Sequence, residues 1–154
     1  MELEKAKVIA NAVVKALASY CSQIEVAGSI RRQKPIVNDI DLVLIPRDRR
    51  NLDAVLLRMG TYKMQGMKIT RIEMESIPLD IYFATPETFA TLLLIRTGSA
   101  ENNIRLCSLA RKKGWHLAAS GDGLFNEKGE RIAGDSEQSI YEALGLPWQR
   151  PEQR

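Results

Sequence analysis

The sequence contains very little cysteine and histidine, which restricts the chemistry it can support. Cys21 and Cys107 are its only thiols, and they are too isolated to form a metal site. His116 is the only histidine, so histidine-based triads and multi-histidine zinc sites are largely excluded. Two isolated cysteines are typical of a reducing, cytosolic setting, and we expect both to be core residues.

The sequence also lacks a long apolar run. No run approaches the roughly 18 residues that a transmembrane helix needs, and the residues after Met1 are charged, unlike a signal peptide. With 154 residues, 45% hydrophobic and 27% charged, the composition is that of a soluble globular protein with one domain or two small lobes. We expect no membrane partner and, by default, a monomer.

The stretch from Val26 to Ile45 contains the strongest functional signal. Asp39 and Asp41 flank an apolar residue at the start of a predicted strand, so both carboxylates point to the same side. Two like charges at the mouth of a buried strand are tolerable mainly when a divalent cation lies between them, and hard oxygen ligands suit Mg²⁺. Aspartate pairs also act as turn formers and caps, so this pair alone is a weak signal.

The turn before this strand offers ligands for a phosphate. Gly28 and Ser29 supply backbone N–H groups and a hydroxyl, and Arg31 and Arg32 supply positive charge. With the two aspartates, this turn predicts metal-assisted transfer of a nucleotide. Asp80 lies within another apolar strand, where a lone carboxylate is costly unless it is paired or bound to metal. We interpret it as the third carboxylate, with a satisfied structural acid as the alternative.

Hydrophobic periodicity predicts an α+β fold with two parts. In the first part we expect helices over residues 2–20 and 49–58 and strands over residues 23–28, 39–46, 68–74 and 77–84. After Thr85-Pro86 the pattern is mostly helical. There we expect helices over residues 86–96, 99–113 and 137–144 and short strands over residues 115–117 and 123–125. We place the domain boundary between residues 1–85 and residues 86–154.

Several motifs together resemble one known family. G-S-I-R-R followed by D-I-D resembles the signature of the polymerase beta nucleotidyltransferase superfamily, specifically the family X DNA polymerases. T-G-S-x-x-x-N-I-R-L, A-R-K-K-G-W-x-L, G-L-F and I-Y-E-A-L-G-L-P-W are similar to the thumb of the same family. The resemblance runs from about residue 24 to residue 151. It implies a minimal form, with a nucleotidyltransferase palm (a mixed or antiparallel sheet with packed helices) and a small, mostly helical thumb.

The resemblance implies a template-directed DNA polymerase that adds dNTPs to a primer 3′-hydroxyl, in short-gap repair synthesis, with two Mg²⁺ ions or with Mn²⁺ instead. Its partners would be dNTP and a primer–template or gapped DNA duplex. The catalytic, metal-binding carboxylates would be Asp39, Asp41 and Asp80. The residues expected to bind the nucleotide are Gly28, Ser29, Arg32, Thr97, Gly98, Ser99 and Asn103. The residues expected to bind DNA are Arg105, Lys112 and Lys113.

The chain departs from the family pattern at two places. Ile95-Arg96 stand where family members usually have two aromatic residues, which leaves selection against ribonucleotides open. Asn38 stands where many members have glycine. The N-terminal lyase region of many members has no counterpart here, so we expect distributive synthesis and a steep loss of DNA binding as salt rises.

Two other functions stay open from the sequence. The first is a nucleotidyltransferase with another acceptor, by terminal addition or on an RNA end or a small molecule. The second is a catalytically dead protein that binds DNA ends. We expect a cytoplasmic or nucleoid-associated protein, of viral or cellular origin.

Overall fold

The structure is a computed structural model that describes every residue from Met1 to Arg154. The helices are α1 (Leu3–Leu17), α2 (Gly28–Arg31), α3 (Arg49–Met59), α4 (Phe89–Thr97), α5 (Ala100–Lys112) and α6 (Glu137–Ala143). The strands are β1 (Cys21–Val26), β2 (Ile40–Pro46), β3 (Thr61–Gln65), β4 (Ile69–Glu73), β5 (Pro78–Phe83), β6 (His116–Ala118), β7 (Gly123–Phe125) and β8 (Arg131–Ala133). No helix has the length and apolar character needed to cross a membrane.

The first part of the chain forms a five-stranded mixed sheet with the order β1-β2-β5-β4-β3. Strands β2 and β5 are parallel, and the other neighbouring strands are antiparallel. The β2–β5 register sets Asp41 opposite Asp80, so the two predicted carboxylates start from adjacent strands in one row. The predicted α+β class is confirmed, and the strands predicted over residues 68–74 and 77–84 are β4 and β5, which form an antiparallel hairpin.

The two faces of this sheet are covered differently. Helices α1 and α3 cover the back face, where a core of 16 buried residues forms around Leu42, Leu44 and Ile81. Helix α1 contributes to this core every third or fourth residue (Ala6, Ala10, Val13 and Leu17), the spacing of one helical face. Each fully buried leucine contributes roughly 1.5–3 kcal/mol. The front face carries the carboxylates and is covered only at one end.

Helix α4 covers that end because it is apolar on more than one side. Phe89, Leu92 and Leu93 pack against Val43 and Tyr82 on the front of the five-stranded sheet. Leu94, on another side of the same helix, is fully buried in the core of the second part of the chain. Because α4 contributes to both cores, the boundary between residues 85 and 86 stays a prediction.

The second part packs helices α4, α5 and α6 against a small antiparallel sheet of β6, β7 and β8. The Ser99 side chain accepts a hydrogen bond from the Asn102 N–H and begins α5, as predicted. Ser136 caps α6, the helix predicted over residues 137–144, in the same way. Cys21 is buried and Cys107 is half-buried beside the second core, which agrees with core roles for both.

Three details of the sequence prediction are wrong. The first strand ends at Val26, because Gly28 begins the helical turn α2 instead of continuing the strand. Strands β3 and β8 were not expected. Strand β3 is almost entirely exposed, so it lacks the alternation of apolar and polar residues that marks a half-buried strand.

Candidate active site

Asp39 and Asp41 lie where β2 begins and line an open, polar pocket of about 520 Å³. Five of the predicted site residues line this pocket: Gly28, Ser29, Arg32, Asp39 and Asp41. Lys34, Asn38 and Arg96 complete much of the wall. The structure therefore brings two carboxylates together with three basic side chains and a Gly-Ser turn, as a site for a triphosphate and a cation requires.

Gly28 allows the turn to approach Asp41 closely. A Cβ atom at position 28 would lie 2.0 Å from the Asp41 Oδ2 atom, and the Gly28 φ of +61° is one that other residues rarely adopt. The neighbouring Ala27 N–H donates to the Asp41 carbonyl oxygen at 2.8 Å. The glycine of the predicted motif is thus needed for space beside the carboxylate as well as for the turn.

The environment of Asp41 makes its ionisation harder than that of an exposed aspartate. Burial, followed by the charges of Asp39 and Asp80, raises the pKa of Asp41 to about 7. The Tyr82 hydroxyl donates to Asp41 Oδ1 at 3.4 Å, and this bond and Arg96 act in the opposite direction. Carboxylates crowded in this way are hard ligands that a divalent cation would hold ionised, so Asp39 and Asp41 fit Mg²⁺ or Mn²⁺.

Arg96 lies on the wall between this pocket and a second one. Its guanidinium carbon is 4.2 Å from the centre of the Tyr82 ring, and its buried Nε has no hydrogen-bond partner. The second pocket, of about 490 Å³, is more apolar and is lined by residues such as Phe83, Met67 and Leu92. Arg96 therefore presents a positive charge to both pockets.

Asp80 is in a different situation from the other two aspartates. Its two carboxylate oxygens accept hydrogen bonds from Arg71 Nε and Nη2 at 2.6 and 2.7 Å. It does not line the pocket of Asp39 and Asp41. No group of three or more His, Cys, Asp or Glu side chains is arranged to hold a metal ion. Asp80 therefore does not fit a metal site while Arg71 is bound to it.

The two arginines of the turn have different contacts. Arg31 forms a two-point ion pair with Glu137 of α6, with bonds of 2.6 and 2.9 Å, and donates to the Thr97 hydroxyl at 2.8 Å. Arg32 lines the pocket and donates to the Thr97 carbonyl oxygen. Arg31 does not line the pocket, so the structure gives it a contact to the second part of the chain instead of the phosphate.

The predicted nucleotide residues of the second part lie near the pocket wall but do not line it. Thr97 and Gly98 contact Arg32, and a Cβ on Gly98 would lie 3.1 Å from its Nη1 atom. Ser99 is engaged as the cap of α5, and Asn103 donates to the Ile95 carbonyl oxygen at 2.8 Å. The Asn103 Oδ1 atom is buried without a partner.

The predicted DNA-binding residues lie along α5 and beyond its end, outside the pocket. Arg105 donates to Asn102 at 3.1 Å and to Gln149, and Lys113 lies over the Trp115 ring at 5.4 Å. Lys112 is exposed. Their assignment to DNA stays a prediction.

Several residues around the site were missed from the sequence: Lys34, Arg71, Tyr82, Glu137 and Arg154. Arg154 is completely buried and donates to Glu137 at 2.8 Å, so Glu137 is held by two arginines. Tyr82 follows Asp80 at the two-residue spacing of one strand face, which is a signal that could have placed it at the site. Nothing local marks Arg71 or Arg154.

The sheet, the carboxylate pair and the helical second part define a palm and a thumb of the polymerase beta type. Residues 92–154 match the family model of the DNA polymerase beta thumb. All of the chain superposes on 76% of Leishmania infantum polymerase beta, solved as a ternary P/T complex, with a TM-score of 0.85 and 20% identity. That likeness shows the fold.

A second relative extends the similarity into the palm sequence. The chain is 30% identical over 135 residues to the DNA polymerase/3′-5′ exonuclease PolX of Bacillus subtilis (strain 168). The match covers 83% of this chain and 23% of that protein, so the chain spans about a quarter of its length. In its thumb, its palm sequence and its fold, the chain is similar to family X polymerases.

Proposed function

We propose that the protein is a template-directed DNA polymerase that adds dNTPs to a primer 3′-hydroxyl and fills short gaps. The observation that carries this proposal is the pocket in which Asp39 and Asp41 face Arg32, Lys34 and Arg96. Carboxylates and cationic side chains in one open pocket suit a metal–triphosphate complex. The similarity to a thumb model favours a polymerase over other nucleotidyltransferases.

Each side chain has a defined task in this proposal. Asp39 and Asp41 would hold the divalent cation, which would neutralise phosphate charge and favour ionisation of the attacking hydroxyl. Arg32 and Lys34 bind the triphosphate, and the Gly28-Ser29 turn supplies a hydroxyl and backbone groups. Phosphoryl transfer depends mainly on positioning and charge neutralisation, so no nucleophilic side chain is needed.

The test is extension of a labelled primer across a one-nucleotide gap with each single dNTP and Mg²⁺, for the wild type and Asp41→Asn. We expect extension only by the complementary nucleotide and its loss in the variant. Glu75→Gln is the matched control, because it makes the same change of charge in the exposed turn between β4 and β5. Parallel reactions with rNTPs measure sugar selection at Ile95-Arg96.

Other outcomes would replace the proposal. Addition without regard to the template would indicate a terminal transferase. DNA binding without any nucleotide addition, with either Mg²⁺ or Mn²⁺, would indicate a DNA-end-binding protein with an inactive palm. Equal activity of Asp41→Asn and the wild type would contradict a role for the pocket in catalysis.

A further inference from the structure

Arg71 and Asp80 form a two-point ion pair on the front of the five-stranded sheet. They face each other across the β4–β5 register, and both oxygens of Asp80 accept from the planar guanidinium, at 2.6 and 2.7 Å. The Asp80 side chain is 3% exposed, whereas the Arg71 side chain is 52% exposed. The acid is therefore fixed in the sheet, and the arginine is the partner that has room to move.

This ion pair competes with any cation that would use Asp80. A guanidinium that occupies both oxygens neutralises the charge of the carboxylate. A divalent cation must therefore displace the guanidinium or share the lone pairs of the carboxylate with it. Asp41 lies opposite Asp80 on β2, so Asp80 is close enough to extend the site of Asp39 and Asp41 once Arg71 leaves. As the structure stands, that extended site is not assembled.

A nucleic-acid phosphate is a suitable second partner for Arg71. Phosphate and carboxylate offer the guanidinium the same two-point hydrogen-bond geometry. Alternation along β4 and β5 puts Arg71, Asp80 and Tyr82 on the front face, which carries the pocket and is not covered by α1 or α3. Under the proposed polymerase function, a DNA strand whose 3′ end reaches the pocket would run along this uncovered face, where the exposed Arg71 side chain is accessible to its phosphates.

We propose that Arg71 is a positioning residue that exchanges its ion pair with Asp80 for a phosphate of the bound DNA strand, and so frees Asp80 to extend the metal site. The proposal rests on the proposed polymerase function. By linkage, DNA raises the affinity for the metal and the metal raises the affinity for DNA by the same factor. The chain would thus complete the metal site with its third carboxylate only when DNA is bound.

The test measures Mn²⁺ binding by electron paramagnetic resonance without nucleotide, with and without a primer–template duplex, after subtraction of a DNA-only blank. The proteins are the wild type, Arg71→Gln and Arg58→Gln. Arg58→Gln is the control, because it makes the same change of charge on the exposed side of α3, behind the sheet. We expect Arg71→Gln to bind Mn²⁺ more tightly than the wild type without DNA, by at least about fivefold, the lower end of typical couplings.

DNA should tighten Mn²⁺ binding in the wild type and in Arg58→Gln, and much less in Arg71→Gln. The plot of log K for DNA binding against log salt concentration has a negative slope. This slope should become shallower by about 0.9 in Arg71→Gln, the value for one phosphate contact. Arg71→Lys keeps the charge but not the two-point geometry, so it should bind Mn²⁺ with intermediate affinity. It also provides the measurement if Arg71→Gln does not fold, which a circular dichroism melt determines.

Equal Mn²⁺ affinity and equal DNA enhancement in the wild type and both Arg71 variants would overturn the proposal. If the wild type still extended primers in that case, the polymerase function would stand without it. If the wild type bound no Mn²⁺ even with DNA and extended no primer, both proposals would fail together.

Discussion

At the scale of single residues, the contact between Gly28 and Asp41 gives the sharpest prediction. Gly28→Ala places a methyl group 2.0 Å from Asp41 Oδ2, so the carboxylate or the turn must shift. Because displacement of a catalytic group by about 1 Å can cost 100-fold, we expect primer extension to fall by about that factor. Extension kinetics measure this loss of activity, and urea unfolding of the same preparations measures any loss of stability.

Gly129→Ala separates this clash from backbone strain. Gly129 has a φ of +77°, but a Cβ added there would meet no atom within 4 Å. This variant should lose about 1–2 kcal/mol of stability from the left-handed backbone and keep its activity. Equal loss of activity in both variants would show that the space beside Asp41 is not what position 28 provides.

Arg96 gives a second prediction at this scale. Arg96→Leu removes a positive charge from the pocket of the two aspartates and the stacking on Tyr82. We expect KM for dNTP to rise by about tenfold with a smaller change in kcat, since a charge-assisted contact to phosphate contributes about 1.5–3 kcal/mol. Steady-state kinetics measure this change, with Arg50→Leu on the exposed side of α3 as the control. An unchanged KM would exclude Arg96 from nucleotide binding.

Site residues that are close in the sequence can be predicted from their spacing. Site residues that meet only across neighbouring strands cannot. Asp39 and Asp41 could be placed on one side of a strand from the alternation alone. The Arg71–Asp80 pair could not, because it depends on the register between β4 and β5, which the hydrophobic pattern does not set to a single residue. The ion pair of Arg31 could not be predicted for the same reason, since its partner Glu137 lies 106 positions away.

At the scale of elements, the connection between α2 and α6 depends on one carboxylate. Glu137 receives Arg31 and Arg154 in a buried site. Burial alone would raise the pKa of Glu137, but the hydrogen bonds and charges of the two arginines lower it overall. The folded protein therefore favours the ionised acid more strongly than the unfolded chain does.

The sign of the pH dependence follows from this lowered pKa. The contribution of Glu137 to the free energy of unfolding is present above the unfolded pKa, near 4.5, and is lost as pH falls through the lower folded value. Glu137→Gln should be less stable by about 3–5 kcal/mol at pH 7, because two arginines lose their counter-charge. It should also lose less stability than the wild type as pH falls below 4.5.

Urea unfolding between pH 3 and pH 7 measures both effects. Glu142→Gln is the matched control, because it changes an exposed acid on the same helix. If Glu137→Gln and Glu142→Gln gave parallel stability profiles, the ion network between α2 and α6 would contribute nothing measurable.

The elements that the sequence predicted are those with an apolar face. Helices α1, α3 and α5 follow the helical period, and β2 and β5 are apolar runs. Strand β3 forms at an exposed edge by pairing with β4, so its residues need no apolar pattern. Strand β8 pairs only with β7, and its three residues are too few for a periodic signal.

At the scale of the whole molecule, α4 predicts how the protein unfolds. Its side chains belong to both cores, so neither part keeps its core intact when the other unfolds. We expect a single cooperative transition in urea. Both tryptophans, Trp115 and Trp148, lie after residue 86, so their fluorescence follows the second part, whereas far-ultraviolet circular dichroism follows both. Different midpoints for the two signals would show that the parts unfold independently.

The position of Arg96 between two pockets has a consequence for inhibitor chemistry. One pocket is polar, with three basic side chains beside two carboxylates, and the other has an apolar wall that includes Phe83 and Leu92. A compound that carries a phosphonate for the first and an aryl group for the second would contact Arg96 from both sides. Such a linked compound would engage both pockets at once, which a compound confined to the polar pocket would not do.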